Sequence, residues 1–168
     1  MRRGKGLEED IGILLRQKKA TLSVAESCTG GLIAHRITNV SGSSDYFSMG
    51  IVSYSNRSKA ELLGVPESDI KRYGAVSHRV AQKMAQGVRL RAQTDIGLAT
   101  TGIAGPLGGT RKIPVGTVFI GLDHRGGTQA RKFRFGGTRR EIKEKASQKS
   151  LEILLDYLMG GGDTSDSN

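Results

Sequence analysis

The sequence predicts an α/β fold: one compact domain on a mixed, mainly parallel β-sheet, with helices on both faces. Three observations carry that expectation. Apolar runs of strand length alternate with amphipathic stretches of helix length, the order that βαβ crossovers produce. Three of the strands open onto loops of small, hydroxyl and glycine residues. A late pair of strands is joined by only His124-Arg125-Gly126-Gly127, so the sheet should end in an antiparallel hairpin.

The elements follow in order. Leu7, Ile11, Leu14 and Leu15 recur at helical spacing, and the helix should end near Lys18-Lys19. Residues 21–25 read as a strand, followed by Glu26-Ser27-Cys28-Thr29-Gly30-Gly31, and 32–37 resume as a helix. Gly42-Ser43-Ser44 is a loop, and 49–54 is a β-branched and aromatic second strand. Asn56 is expected to cap a short helix over 57–63 that stops at Gly64. Ser77 caps a stronger helix whose core stripe is Val80, Ala81, Met84, Ala85 and Val88. A third strand over 95–100 opens onto Thr101-Gly102-Ile103-Ala104-Gly105-Pro106, and 116–123 and 128–135 form the hairpin. Thr138-Arg139-Arg140-Glu141 is a capping box for a last helix along Ile142, Ala146, Ile153, Leu154 and Leu158. With no internal repeat or interdomain linker, residues 1–159 read as one domain and 160–168 as a frayed polar tail.

Composition limits the function. The 168 residues are 36% hydrophobic, which excludes a disordered chain, and no apolar run approaches the ~18 residues of a membrane span. The single cysteine, Cys28, cannot form an internal disulfide, which fits a reducing, cytoplasmic setting. The basic start at Arg2, Arg3 and Lys5 runs into Glu8-Glu9-Asp10 and does not read as a secretory signal. The net charge is +10, and it is concentrated: residues 125–149 hold nine basic and two acidic groups, a local +7. Such a stretch can meet nucleic acid, bind a small anion or simply be solvated. With 5% aromatics and no nucleic-acid motif, a nucleic-acid module has little besides charge to support it.

In open α/β sheets, ligands gather outside the carboxyl ends of the strands. The loops at 26–31, 54–59 and 101–105 can therefore converge on one pocket, although each alone is also an ordinary tight turn. Ser27 stands at a strand-to-helix corner, where it can be an exposed nucleophile or a helix cap. Cys28 is the rival nucleophile, or a small buried hydrophobe. His35, His78 and His124 show no metal-ligand spacing, so no metal is assigned. Lys59 should lie in the first turn of its helix, where the dipole disfavours its charge. An ordinary lysine is neutral about once in 2500 molecules at pH 7; a pKa near 8 makes it neutral about once in ten, enough for a general base. The alternative is a solvated surface lysine.

Five blocks carry a resemblance. They are Val24-Ala25-Glu26-Ser27-Cys28-Thr29-Gly30-Gly31, Tyr54-Ser55-Asn56 with Lys59, Gly74-Ala75-Val76-Ser77, Thr101-Gly102-Ile103-Ala104-Gly105-Pro106 and Pro114-Val115-Gly116-Thr117-Val118. In that order, from Leu7 to Leu158, the chain resembles the CinA C-terminal domain family, the nicotinamide-nucleotide amidohydrolases. The resemblance implies a compact, usually oligomeric α/β domain that needs no cofactor and deamidates nicotinamide mononucleotide to nicotinate mononucleotide and ammonia. It also implies a serine nucleophile with a lysine base, which fall here on Ser27 and Lys59. On that reading Thr29, Gly30, Gly31, Thr101 and Gly102 are the candidates to supply oxyanion donors. Tyr54, Asn56, Gly105 and Arg139 are expected to contact substrate.

Two departures matter. Family members commonly read G-P-x-G-G-S, then acidic residues and Lys-Pro; this chain has Leu107-Gly108-Gly109-Thr110-Arg111-Lys112-Ile113-Pro114. Where G-D-R is frequent, it has Gly137-Thr138-Arg139. Arg139 and Arg140 oppose the dipole of their helix, which is understandable if, with the helix amides, they bind a phosphate. The altered loop leaves a catalytically weak nucleotide-binding homologue as the competing reading.

Overall fold

In the computed structural model, residues 6–160 are described. Of the tail read at 160–168, residues 161–168 lie outside them, as does the basic start at 1–5. Six α-helices and five strands run α1 (Leu7–Lys18), β1 (Leu22–Glu26), α2 (Leu32–Thr38), β2 (Phe47–Val52), α3 (Asn56–Leu63), α4 (Glu67–Tyr73), α5 (His78–Ala92), β3 (Ile96–Gly102), β4 (Thr117–His124), β5 (Gly127–Arg134) and α6 (Arg139–Leu158). The strands lie in the order β2-β1-β3-β4-β5. β1 pairs in parallel with both β2 and β3, whereas β4 pairs antiparallel with β3 and with β5. Four of the five strands therefore point one way and β4 alone is reversed, which is the mixed, mainly parallel sheet expected.

Side-chain alternation along each strand divides the core in two. On one face Leu22, Val24, Leu98 and Ile120 pack under α1, α2 and α6 through Leu15, Ile33, Ala146 and Leu154. On the other, Ala25 and Ala99 pack with Val80, Met84, Ala85 and Val88 of α5 and with Leu63 of α3. The small side chains on that second face have a steric cause. A β-carbon on Gly97 would stand 2.2 Å from the Ala85 carbonyl oxygen, and one on Gly121 2.3 Å from that of Ala81. Part of the glycine content thus serves the close docking of α5, besides the loops.

Several boundaries differ from expectation. The helix after β2 is capped by Ser55, not Asn56: the Ser55 hydroxyl accepts from the Ser58 N–H, and Ser58 answers to the Ser55 N–H. Ser55 is extended, and the side chain of the residue just before the first turn is the one that reaches the free amides two or three positions on. The helix α4 was not expected, although Pro66, Glu67, Asp69 and Gly74 are ordinary start and stop signals around it. The loop read at Gly42-Ser43-Ser44 runs into one 3₁₀ turn over Ser43–Asp45. The hairpin is tighter than four residues, because His124 pairs with Gly127 and only Arg125-Gly126 turn. Among the described residues no helix is long and apolar enough to cross a membrane.

The topology places the site. The chain leaves β1 towards β2 on one side, then crosses through α3, α4 and α5 to β3 on the other. The carboxyl ends of β1 and β3 therefore flank a switch point, the position where open α/β sheets leave a crevice.

Candidate active site

The β1 ladder runs one residue past its strand on each side. The Ser27 N–H donates to the Thr100 carbonyl at 3.0 Å, and the Ser53 N–H donates to the Glu26 carbonyl at 2.8 Å. Glu26, Ser27, Ser53 and Thr100 are thereby fixed side by side at the end of the sheet. Glu26 is 1% exposed, an ionisable group deep in the protein. Its carboxylate accepts the N–H groups of Gly31 and Ile33 at 3.0 and 3.1 Å on one oxygen and of Ala34 at 2.8 Å on the other. A strand-end glutamate thus plugs the N-terminus of α2 and neutralises amides that would otherwise be unpaired. The turn between them needs left-handed backbone at Gly30 and Gly31, with φ of 62° and 95°.

Lys59, 2% exposed, extends from α3 to this corner. Its Nζ donates to the Ser53 carbonyl at 2.9 Å and contacts Ser27 Oγ at 3.1 Å. Ser27 is itself buried, with 8% exposure. Burial pulls the Lys59 amine below the ordinary lysine value of 10.5, opposed by a smaller electrostatic influence of Cys28. Desolvation, which the sequence alone does not reveal, is thus the leading cause. Cys28 lies alongside, buried, and desolvation pushes its thiol up to about 12. It stays protonated at neutral pH, which is wrong for a nucleophile.

The other sequence candidates fall into a second group and three outliers. Arg139 donates from Nη1 to the Gly105 carbonyl at 2.7 Å and from Nη2 to the Tyr54 hydroxyl at 2.5 Å, so the start of α6 joins two residues from separate loops. Tyr54 is otherwise open, at 58% exposure. A cavity of about 610 Å³ brings Arg139 opposite Thr29, Gly30 and Gly31. Thr29 is buried, its hydroxyl 2.8 Å from that of Thr100. Thr101 and Gly102 belong to β3, opposite Phe119 and Val118, and the Thr101 hydroxyl donates to the Ala75 carbonyl. Asn56 is exposed on the first turn of α3 and is not brought to this cavity.

Sequence reasoning missed Glu26 and Ser53 as parts of the site. Glu26 had a signal, a charged residue closing an apolar strand just before two glycines. Ser53 contributes a backbone carbonyl, which no side-chain pattern reveals. Among the described residues, no group of three or more His, Cys, Asp or Glu side chains could hold a metal ion.

The comparisons bear on the family and the fold. A profile of the CinA C-terminal domain matches residues 4–158. A CinA-like protein of Syntrophus aciditrophicus is 53% identical over 156 residues, covering 92% of this chain and 37% of its own length. One from Kosmotoga olearia is 47% identical over 155 residues, covering 92% and 38%. The chain thus spans little more than a third of these curated relatives. Among solved structures, a CinA superfamily protein of Klebsiella pneumoniae superposes with a TM-score of 0.88 at 29% identity, covering 92% of this chain and 96% of that one. The competence/damage inducible protein CihA of Agrobacterium tumefaciens gives 0.83 at 36% identity, covering 94% and 99%. From Gly4 to Leu158, this chain belongs to the CinA C-terminal domain family.

Proposed function

We propose that the chain is an amidohydrolase that deamidates nicotinamide mononucleotide to nicotinate mononucleotide and ammonia, with Ser27 as nucleophile and Lys59 as base. The observation that carries this reading is the buried 3.1 Å contact between Lys59 Nζ and Ser27 Oγ, made by an amine whose pKa burial has lowered. A neutral amine has two N–H groups and one lone pair. Donation to the Ser53 carbonyl occupies an N–H and turns the lone pair towards the Ser27 hydroxyl.

The chemistry then balances. Lys59 takes the Ser27 proton as Oγ attacks the carboxamide carbon, and the carbonyl oxygen becomes an oxyanion. The Lys59 ammonium returns the proton to the departing nitrogen, which leaves as ammonia and gives an ester on Ser27. Water, deprotonated by Lys59, cleaves that ester and restores the hydroxyl. For the oxyanion, Gly30 and Gly31 are less suited than the sequence suggested. Their N–H groups already donate to the Ser27 carbonyl and to Glu26. The Thr29 N–H donates to no backbone carbonyl among the described residues, and we assign it as the donor.

Ammonia release from nicotinamide mononucleotide tests the reading. The wild type should release it and Ser27→Ala should not. The rival, a catalytically weak nucleotide-binding homologue, is favoured by the altered 107–113 loop, whose Leu107 stands 86% exposed. It predicts binding of the mononucleotide without ammonia release by the wild type. A nucleic-acid role is not favoured: Arg125, Arg140 and Lys149 of the basic stretch each pair with a carboxylate.

A further inference from the structure

Two helix N-termini meet the candidate cavity, and at α2 a carboxylate already occupies the amides. The α2 amides converge on Glu26, and Glu141 closes the start of α6 by accepting from the N–H and hydroxyl of Thr138. An anionic group at the α2 side of the cavity must therefore be neutralised by side chains rather than by helix amides.

Three cations line the cavity: Arg139, Arg140 and Lys143. They are not equally free. Arg139 has committed two of its five N–H groups to Gly105 and Tyr54. Arg140 pairs with Glu144 at 2.9 Å. Lys143 is half-buried and makes no ion pair or hydrogen bond among the described residues. Its ammonium lies over the glycine turn: Nζ would stand 3.3 Å from a β-carbon built on Gly30. The Gly30 N–H is in turn 3.1 Å from the Ser27 carbonyl oxygen. Partial burial of an ammonium without a counter-charge is costly unless something anionic meets it. Here it faces open space beside the loop that carries the candidate nucleophile.

We propose that Lys143 is the anion-binding residue of this site, holding the phosphate of a phosphate-bearing small-molecule amide. Arg139 acts instead as a positioning residue that ties Tyr54 to the Gly105 loop. The assignment of an amide as the other half of the ligand rests on the amidohydrolase reading; the anion site does not. A lysine suits the role, because three donors on a compact charge follow a phosphate through small changes of pose.

Calorimetric titration in a Ser27→Ala background, where turnover is blocked, separates the two roles. Nicotinamide mononucleotide and its dephosphorylated nucleoside are the ligands. Lys143→Ala should weaken the mononucleotide roughly tenfold or more and leave the nucleoside unchanged, and Lys143→Arg should recover most of the loss. Arg139→Ala should weaken both ligands alike. Equal weakening of both ligands by Lys143→Ala, or none, overturns the proposal. If the Ser27→Ala protein binds neither ligand, the amide reading is what has failed. The anion site is then read with inorganic phosphate by thermal shift. Stabilisation of the wild type but not of Lys143→Ala supports the site, whereas an equal shift in both, or no shift, overturns it.

Discussion

The two halves of the sheet use the same strands for different ends. In the parallel half, β2, β1 and β3 run side by side, and the loops at the ends of β1 and β2 put Ser27 and Ser53 next to one another, where the Lys59 amine meets both. In the antiparallel half, β4 reverses and returns through a two-residue turn, so no such row of loops forms. What that half offers is surface for packing. α5 docks across β3 and β4 over glycines, and Asp123 is buried in a bond network with Arg89 and Thr128. Parallel pairing leaves the edge that carries the candidate site, and antiparallel pairing supplies the support. Substitutions in the first half should therefore change chemistry, and those in the second should change stability.

The largest effect is expected at the dyad. Ser27→Ala and Lys59→Met should each lower ammonia release by about a thousandfold or more. Lys59→Met should also be more stable than the wild type, because it removes a buried amine. Folding lowers the Lys59 pKa, so the unfolded chain binds more protons below 10.5 and wild-type stability rises with pH in that range. It is lost as pH falls towards the lowered folded value. The advantage of Lys59→Met should thus shrink as pH rises from 7 towards 10, measured by urea denaturation; a constant gap contradicts the assignment.

Next comes Glu26→Ala, the one substitution expected to break both properties. It orphans three α2 amides in a buried setting, a loss of at least about 3 kcal/mol, and it frees the turn that follows Ser27. Denaturation midpoint and ammonia release should fall together. Gly121→Ala belongs to the supporting half: its new methyl meets the Ala81 carbonyl, which should cost about 1–3 kcal/mol. Its kcat per folded molecule should stay at the wild-type value. The smallest change is Ser77→Ala, which removes the α5 cap bonded to the Val80 N–H and should cost about 1 kcal/mol with kinetics unchanged.

The fold was largely readable, because hydrophobic period, caps and glycines report local geometry. The α5 stripe at Val80, Ala81, Met84, Ala85 and Val88 is fully buried, and Ser77 and Thr138 cap the helices they were expected to cap. The site was readable only in its residue types. Ser27 and Lys59 are 32 positions apart, and their contact depends on how β1 and β2 pair before α3 begins. Nothing local encodes that pairing, so only the family resemblance could propose it. Glu26 was passed over for a related reason. A glutamate at a strand end reads as solvated until the amides of the next helix are seen to point at it.

The central claim is that the Ser27 oxygen, activated by Lys59, forms the covalent intermediate. Rapid quenching of the wild type with nicotinamide mononucleotide, followed by peptide mass analysis, tests it most directly. A nicotinate mononucleotide ester should appear on Ser27, absent from Lys59→Met and retained in Cys28→Ala. An adduct on Cys28, or turnover with no adduct on Ser27 at any quench time, would contradict it.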